Sequence, residues 1–197
     1  MVLARARARA ARAASELPPA YSLLPPASSL LTAPPVAGGP GYAVYVGRQP
    51  GAYATWEDCI RETKGVPHNS YKAFSSLAAA ERAFSAAVQR GLVSTAEVRA
   101  ADIRRVVERQ RLDPSDLPLC LAFIDDPTSK AMAEGSSRFY VVYVGLQPGV
   151  YLTFHECSFL TSGYKGSKHS SFVTKDEAVE ALKAALAEGT VYKYMLQ

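Results

Sequence analysis

The chain has 197 residues, 48% of them hydrophobic and 20% charged, with 13 Gly, 13 Pro and a formal net charge of +4. That fits one ordinary domain or two small ones and excludes collagen-like, wholly disordered and disulfide-rich classes. No stretch approaches the roughly 18 apolar residues of a membrane helix, and Cys59, Cys120 and Cys157 form no CxxC spacing, which excludes a zinc ribbon.

The charge is uneven. Residues 1–41 sum to +3, 42–91 to +2, 92–139 to −1 and 140–197 to 0. A polyanion would therefore find its cations in the first half. Arg5, Arg7, Arg9 and Arg12 are set among Ala, with no acid before Glu16. An organelle-targeting presequence (mitochondrial import), a basic arm touching phosphates and a solvated tail all fit this composition. If the segment has no targeting role, a nuclear or cytoplasmic location is equally open. Pro18 through Pro40 reads as an extended linker, because paired prolines cannot continue a helix. Residues 1–41 are thus expected to be a disordered N-terminal segment.

A shift of 98 residues lays the chain on itself without gaps. Tyr42–Trp56 falls on Tyr140–Phe154, Cys59 on Cys157, Gly65 on Gly163 and Phe74 on Phe172. Ala80, Ala83, Ala86, Ala87 and Gly91 fall on Ala178, Ala181, Ala184, Ala185 and Gly189. Roughly two-fifths of the aligned positions are identical, so the chain holds two copies of one module.

Each copy has a readable order. Tyr42–Val46 is an aromatic and β-branched run, a strand. Gly47-Arg48-Gln49-Pro50-Gly51 is a turn, and Ala52–Thr55 completes a hairpin. Trp56–Thr63 is a short helix capped by Thr55, with Glu57 and Asp58 in its first turn and Gly65 ending it. Tyr71–Phe74 is a third strand, and Ser76–Arg90 is an Ala-rich helix stopped by Gly91. The fold class is therefore α+β: two small β-β-α-β-α modules, each a three-stranded antiparallel sheet packed by helices, at 42–91 and 140–190. They are joined by a partly helical linker, 92–139, and followed by a tail, 191–197.

In the linker, Ser94-Thr-Ala-Glu97 reads as a capping box, with a helix running to about Gln110. Its arginines make it a solvated spacer, or alternatively a basic binding face. Leu117–Ile124 is apolar enough to pack against a module, and Asp125–Ser137 reads as a loop.

The string Val44-Tyr-Val-Gly-Arg48-Gln-Pro-Gly-Ala-Tyr53, with Thr55-Trp56-Glu-Asp-Cys59 and Ser70-Tyr71-Lys72-Ala73-Phe74, resembles the N-terminal hybrid-binding domain of eukaryotic ribonuclease H. The same module occurs in caulimovirus viroplasmin. The resemblance implies recognition of RNA/DNA hybrid or double-stranded RNA through the minor groove and backbone. It assigns Trp56 and Tyr71 as the aromatic pair against the DNA sugar, Lys72 as the phosphate cation, Arg48 as the turn arginine and Tyr42 as the ring opening the first strand. A second lysine commonly follows the first, and here Ala73 stands in its place. Independently of the family, an exposed ring packs on deoxyribose where a 2′-hydroxyl would crowd it. A lone Trp is otherwise a core residue.

The second copy departs. Arg48, Trp56, Tyr71 and Lys72 become Leu146, Phe154, His169 and Ser170, with Lys165 and Lys168 nearby. Tyr140, Phe154, Lys165, Lys168 and His169 are the expected residues of a weaker second site, or of a protein contact in which Phe154 and Tyr151 are exposed. Ribonuclease H cleavage needs carboxylates around two metal ions. Asp113, Asp116, Asp125 and Asp126 are loop acids, so no catalytic residue, metal or cofactor is expected, and the protein reads as non-catalytic. Cys59 and Cys157 read as small buried hydrophobes. The alternative function is a protein-interaction scaffold. No membrane partner is expected.

Overall fold

The computed structural model describes residues 39–196, so the Arg-rich segment and most of the Pro-rich tract lie outside the described residues. The first module runs β1 (Gly41–Gly47), β2 (Gly51–Tyr53), α1 (Trp56–Thr63), β3 (Ser70–Phe74) and α2 (Leu77–Gln89). β1 is central and antiparallel to both β2 and β3. Thr55 caps α1 by accepting from the Asp58 N–H at 3.2 Å, and Ser76 caps α2 by accepting from Ala79. α2 buries Ala79, Ala80, Ala83, Ala86 and Ala87, a stripe at helical spacing whose small side chains let it lie close to the sheet.

The second module repeats this as β6 (Phe139–Gly145), β7 (Gly149–Tyr151), α6 (Phe154–Thr161), β8 (Lys168–Phe172) and α7 (Lys175–Ala187). Gly47 and Gly145 hold one repeat position for one reason. A Cβ there would come within 2.8 Å of the Glu62 carbonyl or 2.7 Å of the Leu160 carbonyl, where the helix end crosses the strand. Cys59 and Cys157 are fully buried, as expected.

Each antiparallel trio gains a parallel strand the pattern did not predict. β4 (Ser94–Thr95) pairs with β1 through Val46↔Ser94, and β9 (Tyr192–Leu196) pairs with β6 through Val144↔Tyr192. The same 98-residue shift relates the two, so residues 192–196 are a sheet strand rather than a tail. Two residues are too few to show a strand period.

The linker differs from expectation in three places. α3 (Ala96–Arg104) starts from Thr95, with no capping box, and stops at Arg105. The chain then forms β5 (Val106–Arg111), antiparallel to β9, where a continuing helix was expected. Val106-Val107 favours strand, and β9 offers an open edge. Nor is α3 a solvated spacer, since Arg99 is only 2% exposed. The expected loop holds α5 (Pro127–Met132), capped by Asp126. Leu117–Ile124, which includes α4 (Leu117–Cys120), does pack on a module: Cys120 and Ile124 join Val141, Val150 and Leu182.

The two modules share a core. Tyr45, Phe74 and the alanines of α2 lie in one apolar cluster with Met132, Val142, Tyr151, Cys157 and Phe159. His155 of α6 stacks on Tyr45 at 3.7 Å and 12°. Its Nε2–H donates to the Leu92 carbonyl at 3.1 Å, which leaves Nδ1 to accept from Ser70 Oγ at 2.7 Å. Burial holds its pKa down to about 3, so the ring is neutral. Beside it, Arg90 pairs with buried Glu156 at 2.8 Å, and Glu156 also accepts from Ser129 Oγ at 2.7 Å. Glu156 completes the capping box of α6 with Thr153, so one carboxylate serves the helix start and the module contact.

Candidate nucleic-acid interface

The register of β1 and β3 decides which side chains can meet. Tyr42 pairs with Ala73 and Val44 with Tyr71, so these four share one face; Ala43 pairs with Lys72 on the other. α1 places Trp56 on the first face. Its ring lies 5.7 Å from Tyr42 and 5.6 Å from Tyr71, tilted by 51° and 58°. Trp56 is 42% exposed and Tyr71 41%. The expected aromatic pair is thus one open cluster of three rings, outside the core.

The two expected cations do not join it. Strand alternation turns Lys72, the expected phosphate cation, away from Tyr71 and the ring face. Its amino group donates to the Met132 carbonyl at 2.9 Å and lies 4.9 Å from the centre of the Phe74 ring. Burial pulls its pKa below the ordinary value, and Glu134 opposes that shift. Ala73, where a second lysine is absent, is the exposed β3 residue beside Tyr42 on the ring face.

Arg48 closes the end of α1. Its Nη1 donates to the Arg61 carbonyl at 2.7 Å and its Nη2 to the Lys64 carbonyl at 2.9 Å. This satisfies two orphan carbonyls of a helix terminus. Leu146 of the second copy has no such donors. There, Arg99 of α3 donates to the carbonyls of Phe159 and Ser162, which stand at the repeat positions of Arg61 and Lys64. Its guanidinium also lies over the rings of Phe159 and Tyr164.

The second copy keeps the ring geometry. Tyr140 and Phe154 lie 5.8 Å apart at 57°, and Phe154 is 58% exposed. His169 pairs with Val142, as Tyr71 does with Val44, and is exposed on the same face. Lys165 and Lys168 are exposed; the Lys165 carbonyl accepts from Arg109 and Tyr194. Arg138 was missed in the sequence. It donates to Ser171 Oγ at 3.2 Å, and Ser171 pairs with Tyr140 as Ala73 does with Tyr42. The repeat alignment hid it, because its counterpart is Pro40. Tyr151 is fully buried, not exposed, and its hydroxyl donates to the Gln147 carbonyl at 2.8 Å.

Each unit is therefore a small α+β module with a tilted ring pair at the start of its first helix. The description that matches both is the ribonuclease H1 N-terminal domain, over residues 40–84 and again over 138–182. Both modules belong to this family, as tandem copies. The family points to nucleic-acid binding, and the matched domain is the non-catalytic one. No solved structure matches the chain. Among the described residues no helix is long and apolar enough to cross a membrane.

Proposed function

We propose that the protein binds RNA/DNA hybrid or double-stranded RNA without cleaving it, mainly through the first module. The observation that carries this reading is the open cluster of Tyr42, Trp56 and Tyr71, with the last two about two-fifths exposed. Three tilted rings form a surface on which a sugar without a 2′-hydroxyl packs closely. Phosphate contact by Lys72 requires it to leave the Met132 carbonyl, so the rings contribute more than this cation. The second module offers a weaker face of Tyr140, Phe154 and His169, with Arg138 as its cation.

The test is a titration of the whole protein with matched hybrid, double-stranded RNA, double-stranded DNA and single strands at two salt concentrations. The reading expects a preference for hybrid or double-stranded RNA that weakens with salt. Equal affinity for all four ligands contradicts it. Exposed Phe154 also supports a protein contact by the second module. A partner lost on Phe154→Ala, with duplex affinity unchanged, selects that role.

A further inference from the structure

β5 is the outermost strand of the second sheet, whose order is β5-β9-β6-β7. It lies outside the residues matched by the domain family. Residues 104–111 hold four arginines and one acid, Glu108. Pairing sets Arg109 opposite Tyr194 and Arg111 opposite Tyr192, so the two arginines share a face. The Arg109 guanidinium is held against a ring and a backbone carbonyl, and that of Arg111 passes close to Gly189. Arg109 lies over the Tyr194 ring at 5.3 Å and donates to the Lys165 carbonyl at 2.7 Å. A Cβ on Gly166 would come within 2.6 Å of its Nη2, and one on Gly189 within 3.3 Å of the Arg111 Nη1. Neither arginine forms an ion pair among the described residues, although Arg111 contributes weakly, after Ser115, to holding the Asp113 carboxyl low. Lys165 is exposed beside Arg109, and Glu108 lines the same cleft.

We propose that Arg109 and Arg111 form a phosphate-binding track for one nucleic-acid strand, separate from the ring faces. Side chains two residues apart on a strand stand about 6.8 Å apart, which is of the order of the step between successive phosphates. Guanidiniums present fork donors that match phosphate oxygens, and the one bond of Arg109 Nη2 to the Lys165 carbonyl leaves its other donors for a phosphate, unlike Arg48, where both Nη atoms are engaged. Such a track reads backbone only, so it is blind to base and sugar. It rests on the reading of the protein as a nucleic-acid binder, but not on its preference for hybrid.

The experiment titrates the full chain, as wild type, R109Q/R111Q and R109K/R111K, with RNA/DNA hybrid and double-stranded DNA over a salt series. For R109Q/R111Q we expect about a tenfold loss on both duplexes and a log–log salt slope shallower by about two, with the hybrid-to-DNA ratio unchanged. The lysine variant, which keeps the charges, retains most of the slope and shows that the fold is intact. Unchanged slope and affinity in R109Q/R111Q overturn the track, as does a wild type that binds no duplex. A wild type that binds both duplexes equally, with the arginine effect intact, overturns the hybrid preference alone.

Discussion

Arg48 and Arg99 close the same helix end in the two modules from different places in the chain. Arg48 reaches the carbonyls of Arg61 and Lys64 from the hairpin turn of its own module. Arg99 reaches those of Phe159 and Ser162 from the linker. The turn arginine thus has a helix-closing role, and its loss at Leu146 follows from the replacement by Arg99. The linker is built into the second module as a structural part.

This makes the two arginines unequal in stability. Arg99→Ala leaves buried carbonyls unpaired and a cavity between Phe159 and Tyr164, and is expected to cost about 3 kcal/mol. Arg48→Ala, at an exposed site, is expected to cost about 1 kcal/mol or less. Its donors are engaged, so duplex affinity should change less than for Trp56→Ala. Urea melts of the two variants check the order, and equal losses would contradict it.

Strand alternation gives a second expectation. Lys72→Ala should lower hybrid affinity only slightly, because its amino group is bonded to Met132 on the far face. Ala73→Lys places a cation beside Tyr42 on the ring face. It should raise affinity several-fold and steepen the salt slope by about one. If Lys72→Ala weakens binding as much as Trp56→Ala, the assignment of faces is wrong.

The second module should contribute through Phe154 and Arg138. In a Trp56→Ala, Tyr71→Ala background, residual duplex binding is expected to fall further on Arg138→Ala. Residual binding that ignores both Phe154→Ala and Arg138→Ala would remove the second face.

His155 carries a pH signature. Its native pKa of about 3 lies below the ordinary value of 6.5, so the unfolded chain takes up a proton first. Stability is fully present above pH 6.5 and falls as the pH drops from there toward 3. The carboxyls of Asp126 and Glu134, held low by hydrogen bonds, add their loss only at lower pH. Thermal melts between pH 7 and 5 should show a falling midpoint in the wild type and a flatter one in His155→Gln. The variant will be less stable at pH 7, so the slope is the diagnostic.

Much of this architecture was legible. Thr55 and Ser76 before helical runs, the Pro50-Gly51 turn and the alanine stripe each encode local structure, and the repeat doubles each signal. What escaped depends on long-range pairing. Ser94-Thr95 becomes a strand only beside Val46, and Arg105–Arg111 leaves the helix because β9 offers an edge. The ring cluster was legible because Trp56 and Tyr71 stand in a distinctive string. The positions of its cations were not, since the alternation that turns Lys72 away needs the β1–β3 register, and Arg138 has no counterpart in the first copy.

The most direct measurement compares wild type with the Trp56→Ala, Tyr71→Ala double variant on RNA/DNA hybrid and double-stranded RNA at one salt concentration. With each ring contact worth about 1–3 kcal/mol, hybrid affinity should fall at least tenfold and the preference over double-stranded RNA, which has no deoxyribose for the rings, should collapse. Undiminished hybrid binding and preference in a correctly folded double variant would contradict the ring face as the reader.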